Sequence, residues 1–396
     1  MEKKLRLGIF GFGVVGQGLY DIIKTKRLNI EVKKFVIKHP DKKRSLPAEL
    51  FHTDPDEILE DTEIDTVIEL IDDADVAYNI VSKALRNGKN VVSANKKMIA
   101  NHLEELVALQ HEYGTSLLYE GAVCGSIPII RNLEEYYDNE LLHSISGIFN
   151  GSSNYILSKI FNENLSYKVA LKQAQDLGFA ESDPTLDVGG FDAKFKLSIV
   201  ASHAYGLFIN PDKILNIGID GLSEADVRFA KEKNLKIKLV PTARKINDHQ
   251  VILYVMPKFV NSESILYQVE NEYNGVLVQA AFADQQFFYG KGAGGHPTGS
   301  AVLSDIAALR YDYRYEYKKH LTKVPSDEEV YTTNWNLKVY LRYKDESIID
   351  QLGFQEIHER YASEDLKYII GTINLHKLIE HRNLLKGDDV YIVEKS

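Results

Sequence analysis

Sulfur and proline are scarce in this chain, whose 396 residues include one cysteine, three methionines, ten prolines and a single tryptophan. Cys124 has no partner for an internal disulfide, which points to a reducing compartment, and cytoplasm is the expected location. An isolated cysteine with scattered histidines offers no zinc-ligand spacing, so no transition-metal site is expected. Positive charge is also in deficit: the formal net charge of −10 argues against nucleic acid or an anionic membrane, both of which favour a basic face. No run of about 18 apolar residues occurs, which excludes a membrane-spanning helix on length. Met1 to Arg6 is charged and shows no apolar signal core. The expectation left standing is a protein that handles a small molecule.

What is present fits a multidomain globular chain: 44% hydrophobic and 26% charged residues over a length that exceeds a single core. Leu5 to Phe10 is a short apolar run entering glycines, and Val14 to Ile23 has helical spacing. Strand-like stretches follow at Val32 to Ile37, Thr66 to Ile71, Asn90 to Ser93 and Ser116 to Tyr119, with helix-like Ala77 to Arg86 and His102 to His111 between them. That alternation predicts βαβ units and a doubly wound parallel sheet of Rossmann type over 1–135, completed by a helix at about 297–312. Residues 136–296 read as an α+β domain with an antiparallel sheet, and 325–396 as a small C-terminal α+β module.

Gly11, Gly13 and Gly16 form G-x-G-x-x-G between the first strand and the first helix. The first glycine permits the turn, the second lets backbone approach a pyrophosphate, and the third lets helix and strand pack closely. Phe12, Val14 and Val15 lie in the same loop. At the end of the second strand, where an acid would select NAD, the chain carries Lys38, followed by Lys42, Lys43 and Arg44. Cations there favour a 2′-phosphate, so NADP is expected, with NAD as the alternative.

The densest cluster of charge is Gly178 to Lys196, which gathers Glu181, Asp183, Asp187, Asp192, Lys194 and Lys196 near a helix start. Asp192 and Lys196 are spaced i, i+4, the arrangement of an ordinary helix ion pair and equally of a site for a zwitterion. Asp183 before Pro184 reads as a turn start, and Lys194 as a helix-surface residue.

Several separated motifs together resemble the homoserine dehydrogenase family: GFGVVGQGL from Gly11, SANKK from Ser93, YEGAVCGSIPII from Tyr119, GIFNGSSNYIL from Gly147, the segment from Gly178, and GKGAGGHPTGSAVLSDI from Gly290. The resemblance implies a nucleotide-binding domain, a catalytic and dimerisation domain, a homodimer, and NAD(P)H-dependent reduction of L-aspartate 4-semialdehyde to L-homoserine on the route to threonine, methionine and isoleucine. It implies Lys196 and Lys96 as catalytic lysines, with Glu181 on the substrate ammonium, Asp187 and Asp192 lining the polar pocket, and Asn150, Gly151 and Ser152 approaching the substrate. Ala94, Lys96, Gly292 and Gly294 would join the first glycine loop around the cofactor. Glu120, Val123, Gly125 and Ile127 would surround a monovalent cation such as Na⁺, although a plain glycine turn is the competing reading.

Departures accompany the likeness. Asp72 and Asp73 follow the third strand read from the pattern, where the family commonly places glycine; Cys124 and Ser126 stand in a loop usually richer in glycine; and Phe179 lacks a hydroxyl. The C-terminal residues resemble a regulatory amino-acid-binding (ACT-like) domain only loosely, so a dimer-supporting or degenerate module is expected in preference to control by threonine. The competing functions are a different dinucleotide-dependent dehydrogenase and an idle nucleotide sensor. The first lacks the acid-and-lysine segment, and the second would be expected to lose Lys96, Lys196 or Glu181.

Overall fold

A computed structural model describes residues 4–26, 29–138, 141–321, 326–387 and 389–395. The charged opening at residues 1–3 lies outside them. Contacts group the chain into two units: residues 1–138, 202–208 and 290–321 form the first, and 139–201, 209–289 and 322–396 the second.

The first unit is built on a parallel sheet whose strands are β1 (Leu5–Phe10), β2 (Ile30–Val36), β3 (Phe51–His52), β4 (Thr66–Glu69), β5 (Asn90–Ser93) and β6 (Leu117–Leu118), in the order β3-β2-β1-β4-β5-β6. The order reverses beside β1, so the carboxyl ends of β1 and β4 open the crevice in which such sheets bind ligands. Leu5, Leu7, Ile9, Val67, Ile68, Val91 and Val92 are fully buried, as expected of strands covered on both faces. The helix Val14–Lys26 follows the glycine turn, and the helix Gly295–Leu309 packs on it. Their approach is set by glycine. A Cβ on Gly18 would fall 2.4 Å from the carbonyl carbon of Gly295, and one on Gly299 would fall 2.8 Å from Leu19 N.

The second unit holds a mixed sheet of β7 (Leu142–Ile148), β8 (Leu215–Asn216), β9 (Lys236–Lys245), β10 (Val251–Val260), β11 (Tyr273–Ala280), β12 (Asp284–Lys291), β13 (Asn336–Tyr343), β14 (Glu356–Ala362), β15 (Lys367–Asn374) and β16 (Val390–Lys395). Along it the order is β12-β11-β7-β9-β10-β16-β13-β15-β14, with β8 on β10. The C-terminal residues expected as a small module thus continue the sheet of the second unit. β16 pairs in parallel with β10, and Val339, Leu341, Ile369 and Ile392 share one buried cluster with Ile252, Tyr254 and Met256. Arg342 on β13 ion-pairs with buried Asp226 at 3.0 Å, and Tyr340 Oη donates to the same carboxylate at 3.0 Å.

Sequence reading passed over β9 and the helix Glu224–Glu232. β9 carries Pro241 opposite Val255 and several lysines, a poor strand signature, yet it lies between β7 and β10. The helix was signalled by a capping box: Ser223 Oγ accepts from Asp226 N while the Asp226 carboxylate accepts from Ser223 N.

Candidate active site

In the first unit, Gly11 sits at φ +94°, and a Cβ there would meet Leu70 O at 2.6 Å. A Cβ on Gly16 would meet Gly11 O at 2.7 Å, whereas one on Gly13 would meet nothing within 4 Å. So the outer glycines are fixed by close backbone, and the middle one faces the open space that a pyrophosphate needs. Phe12 turns inward, edge-on to Phe35 at 4.8 Å and Phe51 at 5.3 Å, which anchors the loop. Val14 is exposed and Val15 half-buried at the helix start. Lys38 is exposed just beyond β2, while Arg44 folds back to donate to His39 O and Lys42 O at 2.7 Å each. These residues fit a dinucleotide.

After β5, Ala94 leads to Asn95, whose Oδ1 accepts from Met98 N at 3.0 Å and caps the helix Lys96–Tyr113. Lys96 is therefore the first residue of that helix, half-buried, with exposed Lys97 beside it. Gly292 backs onto Gly125, whose added Cβ would lie 2.6 Å from the Gly292 carbonyl, and Gly294 at φ +120° caps the Gly295 helix. Asp73, flagged as an unexpected acid, is a helix cap, accepting from Asp75 N and Val76 N at 3.1 Å, and Asp72 is exposed.

The segment Tyr119 to Ile130 folds tightly in the same unit. Glu120 is buried and both its carboxylate oxygens accept backbone N–H, from Ile130 at 2.8 Å and Arg131 at 2.9 Å. Burial, then the nearby Asp305 carboxylate, push the Glu120 acid up to about 8. Cys124 and Gly125 are both left-handed, at φ 54° and 56°. The Ile127 carbonyl accepts from Ile129 N at 2.8 Å. Val123 is fully buried.

In the second unit the lysine and carboxylates of the sequence cluster do meet. Lys196 Nζ lies 2.7 Å from Asp192 Oδ2 and donates to Phe149 O at 2.7 Å. Asn150 Nδ2 donates to Asp187 Oδ1 at 2.7 Å and to Asp192 Oδ2 at 3.0 Å, while its Oδ1 accepts from Ser153 N. Asn150 thereby caps the helix Gly151–Glu163 and ties two acids together, its amide committed to protein partners. Gly151 allows the close approach of Glu272 O, 2.6 Å from where its Cβ would stand, and Ser152 Oγ donates to Phe179 O. Sequence reading missed Asn274, fully buried, whose Nδ2 donates to the Phe149 carbonyl that Lys196 also uses. Only the fold reveals it, since an asparagine before Gly275 reads as a turn.

Glu181 is not brought into this cluster. It is exposed, and its backbone carbonyl accepts from Gln175 Nε2 at 3.0 Å. Asp183 accepts from Thr185 N and Oγ1, the turn expected of it. Lys194 corrects the sequence reading: it is buried, not a surface residue, with its ammonium 5.0 Å from the Phe191 ring and 3.8 Å from Asp212 Oδ1. Desolvation lowers its pKa.

A family model described as homoserine dehydrogenase matches residues 128–307, and one described as homoserine dehydrogenase, NAD binding domain, matches residues 11–120. The homoserine dehydrogenase of Bacillus subtilis is 34% identical over 345 residues, covering 82% of this chain and 79% of the relative. A crystal structure of a homoserine dehydrogenase from Thiobacillus denitrificans superposes with a TM-score of 0.83 at 28% identity, covering 100% of this chain and 99% of that one. A hyperthermophilic archaeal homoserine dehydrogenase in complex with NADPH aligns at TM-score 0.67 and 25% identity, covering 79% of this chain and 99% of that one. With a glycine-loop nucleotide site in one unit and a lysine–carboxylate cluster in the other, the chain belongs to the homoserine dehydrogenase family, NAD(P)-dependent oxidoreductases acting on a CH–OH group.

Proposed function

We propose that the chain reduces L-aspartate 4-semialdehyde to L-homoserine with Lys196 as the acid, and that NADPH is its preferred reductant. The observation that carries this reading is the Asp192–Lys196–Phe149 arrangement. An ammonium has three N–H donors. Two of those on Lys196 go to Asp192 and Phe149 O, which leaves one for a substrate oxygen. The reduced nicotinamide supplies the hydride when bound. As charge builds on the aldehyde oxygen, the remaining Lys196 N–H stabilises it and delivers the proton. Asn150 holds Asp187 and Asp192 at fixed separation, so Lys196 keeps one orientation. Asp187 offers a carboxylate to the substrate ammonium, Glu181 outside the cluster is assigned to it on the family resemblance alone, and Gly151 and Ser152 shape the approach. Lys96 is the second lysine of the reaction.

Exposed Lys38 supports a cofactor with a 2′-phosphate, while Gly11, Gly13, Gly16, Ala94, Gly292 and Gly294 would hold the parts that NADP and NAD share. The deciding assay follows NADP⁺ and NAD⁺ reduction by L-homoserine at 340 nm. No turnover with homoserine would sink the activity, and a strong preference for NAD⁺ would sink the cofactor assignment.

The loop from Glu120 fits a monovalent cation by its chemistry. Its oxygen donors are hard, and a cation would offset the cost of ionising buried Glu120. A melting temperature and activity indifferent to Na⁺ and K⁺ at pH 8 would remove the cation. A homodimer completes the reading; a monomer mass by light scattering would refute it.

A further inference from the structure

Glu69 ends β4 at the carboxyl edge of the parallel sheet, opposite Phe10 on β1 and Ser93 on β5. It is wholly buried. An apolar side chain would fill such a place at less cost than a carboxyl group, which must find hydrogen-bond partners to remain there. Its partners form a closed ring. Ile71 N donates to Oε1 at 2.8 Å and Ser93 Oγ donates to Oε2 at 2.5 Å. Asn95 N donates to Ser93 Oγ at 3.0 Å, and Asn95 Nδ2 returns to Ile71 O at 3.1 Å. The free side of Asn95, its Oδ1, caps the helix whose first residue is Lys96. Next to the ring, Leu70 O is the backbone atom against which Gly11 turns.

We infer that Glu69 is a positioning residue of the dinucleotide site: through Ser93 and Asn95 it sets the start of the Lys96 helix, and through Ile71 it sets the strand end behind Gly11. This deepens the dehydrogenase reading and rests on it for the identity of the ligand. Asn95 donates at both of its places in the ring and Glu69 accepts at both of its. Ionised, Glu69 accepts from both Ser93 Oγ and Ile71 N. Protonated on Oε2, it donates to Ser93, whose own hydroxyl proton must turn away; protonated on Oε1, it opposes the Ile71 N–H. Burial pushes the acid up to about 7, exposed Asp72 pushes the same way, and the Ser93 and Ile71 bonds oppose them. Protonation of Glu69 can thus invert the Ser93–Glu69 bond, while the three bonds donated by N–H groups keep their direction.

The test is binding of NADPH and NADH to the full chain without substrate, read by nucleotide fluorescence from about pH 6 to about pH 8.5, beside the melting temperature of the ligand-free protein. Glu69→Gln and Ser93→Ala are each expected to weaken binding about tenfold, and the double variant no further, because both remove one shared bond. The wild-type Kd should change through about pH 7, and Glu69→Gln should lose that change while keeping any due to the nucleotide phosphates. Glu69→Asp, which withdraws the carboxylate by one methylene, replaces Glu69→Gln if the latter does not melt cooperatively, and the same weakening is expected of it. Variants that bind within about twofold of wild type with the same pH course overturn the positioning role. Wild type that binds nucleotide yet fails to oxidise homoserine sinks the activity and leaves the role of Glu69 standing, whereas absent binding sinks both.

Discussion

A lysine whose ammonium already serves two protein acceptors is oriented as well as charged, and Lys196 is held that way by Asp192 and Phe149 O. Lys196→Ala should lower kcat by about a hundredfold or more in the homoserine assay, the span that general acid catalysis provides. It also takes the Lys196 ammonium from Asp192, which is 2% exposed and keeps its bond from Asn150, so melting must be followed in parallel. Lys196→Arg keeps the ion pair and misplaces the donor; near-normal kcat in that variant would refute a role for the ammonium's geometry.

Glu69 makes a second residue-scale prediction, one about stability. Its folded pKa, about 7, is raised above the ordinary 4.5 by burial. A raised acid contributes stability that is fully present below pH 4.5 and is lost as pH rises through about 7. Glu69→Gln removes this dependence, so relative to wild type it should gain stability between pH 5 and pH 8, by up to ~3 kcal/mol. Urea midpoints at the two pH values measure it. An unchanged difference would mean that Glu69 is not desolvated as described.

At the scale of elements, the first unit depends on two helices brought together through glycine. The helices Val14–Lys26 and Gly295–Leu309 touch where Gly18 faces Gly295, with no room for a methyl group at 2.4 Å. Gly18→Ala must push backbone away from backbone, because no flexible side chain is there to yield. A loss of about 1–3 kcal/mol is expected, the usual cost of overpacking. Nucleotide binding should weaken with it, since the displaced helix begins in the glycine turn. Calorimetry with and without NADPH would show both effects, and a fully stable Gly18→Ala protein with normal affinity would contradict the packing.

For the second unit as a whole, the last strands are part of the structure that carries Lys196. β16 lies between β10 and β13, and the Arg342–Asp226 pair fastens β13 to the helix Glu224–Glu232. Asp226→Ala leaves the Arg342 guanidinium buried without its counter-charge and removes the capping box, so a loss of about 3–5 kcal/mol is expected. The unfolding curve should stay a single transition for this unit, because β10 and the C-terminal strands share one core. Separate melting of the C-terminal strands would instead indicate an independent module.

Much of this was legible in the residues. The strands at Leu5–Phe10 and Asn90–Ser93 and the helix Phe191–Tyr205 follow local rules of apolar runs, glycine turns and helical spacing, and so does the Asp192–Lys196 pair. Local rules fail where a segment's state is set by remote neighbours. β9 is a strand because β7 and β10 flank it, despite Pro241, and buried Lys194 sets its ammonium 3.8 Å from Asp212 Oδ1, beyond the end of its own helix. Likewise the C-terminal strands gain their place from β10, far away in the chain.

By itself the sequence determined the glycine turn for a dinucleotide, the lysine-and-carboxylate segment and the family they mark, because covalent spacing and backbone freedom act over a few residues. Only the tertiary structure decided that Asn150 locks Asp187 to Asp192, that Asn274 and Lys196 share one carbonyl, and that Glu69 closes a ring through Ser93 and Asn95. Apart from the local Ser93–Asn95 bond, each of them joins residues at least 24 positions apart in the chain. Burial gives them their strength, and burial is a property of the folded chain.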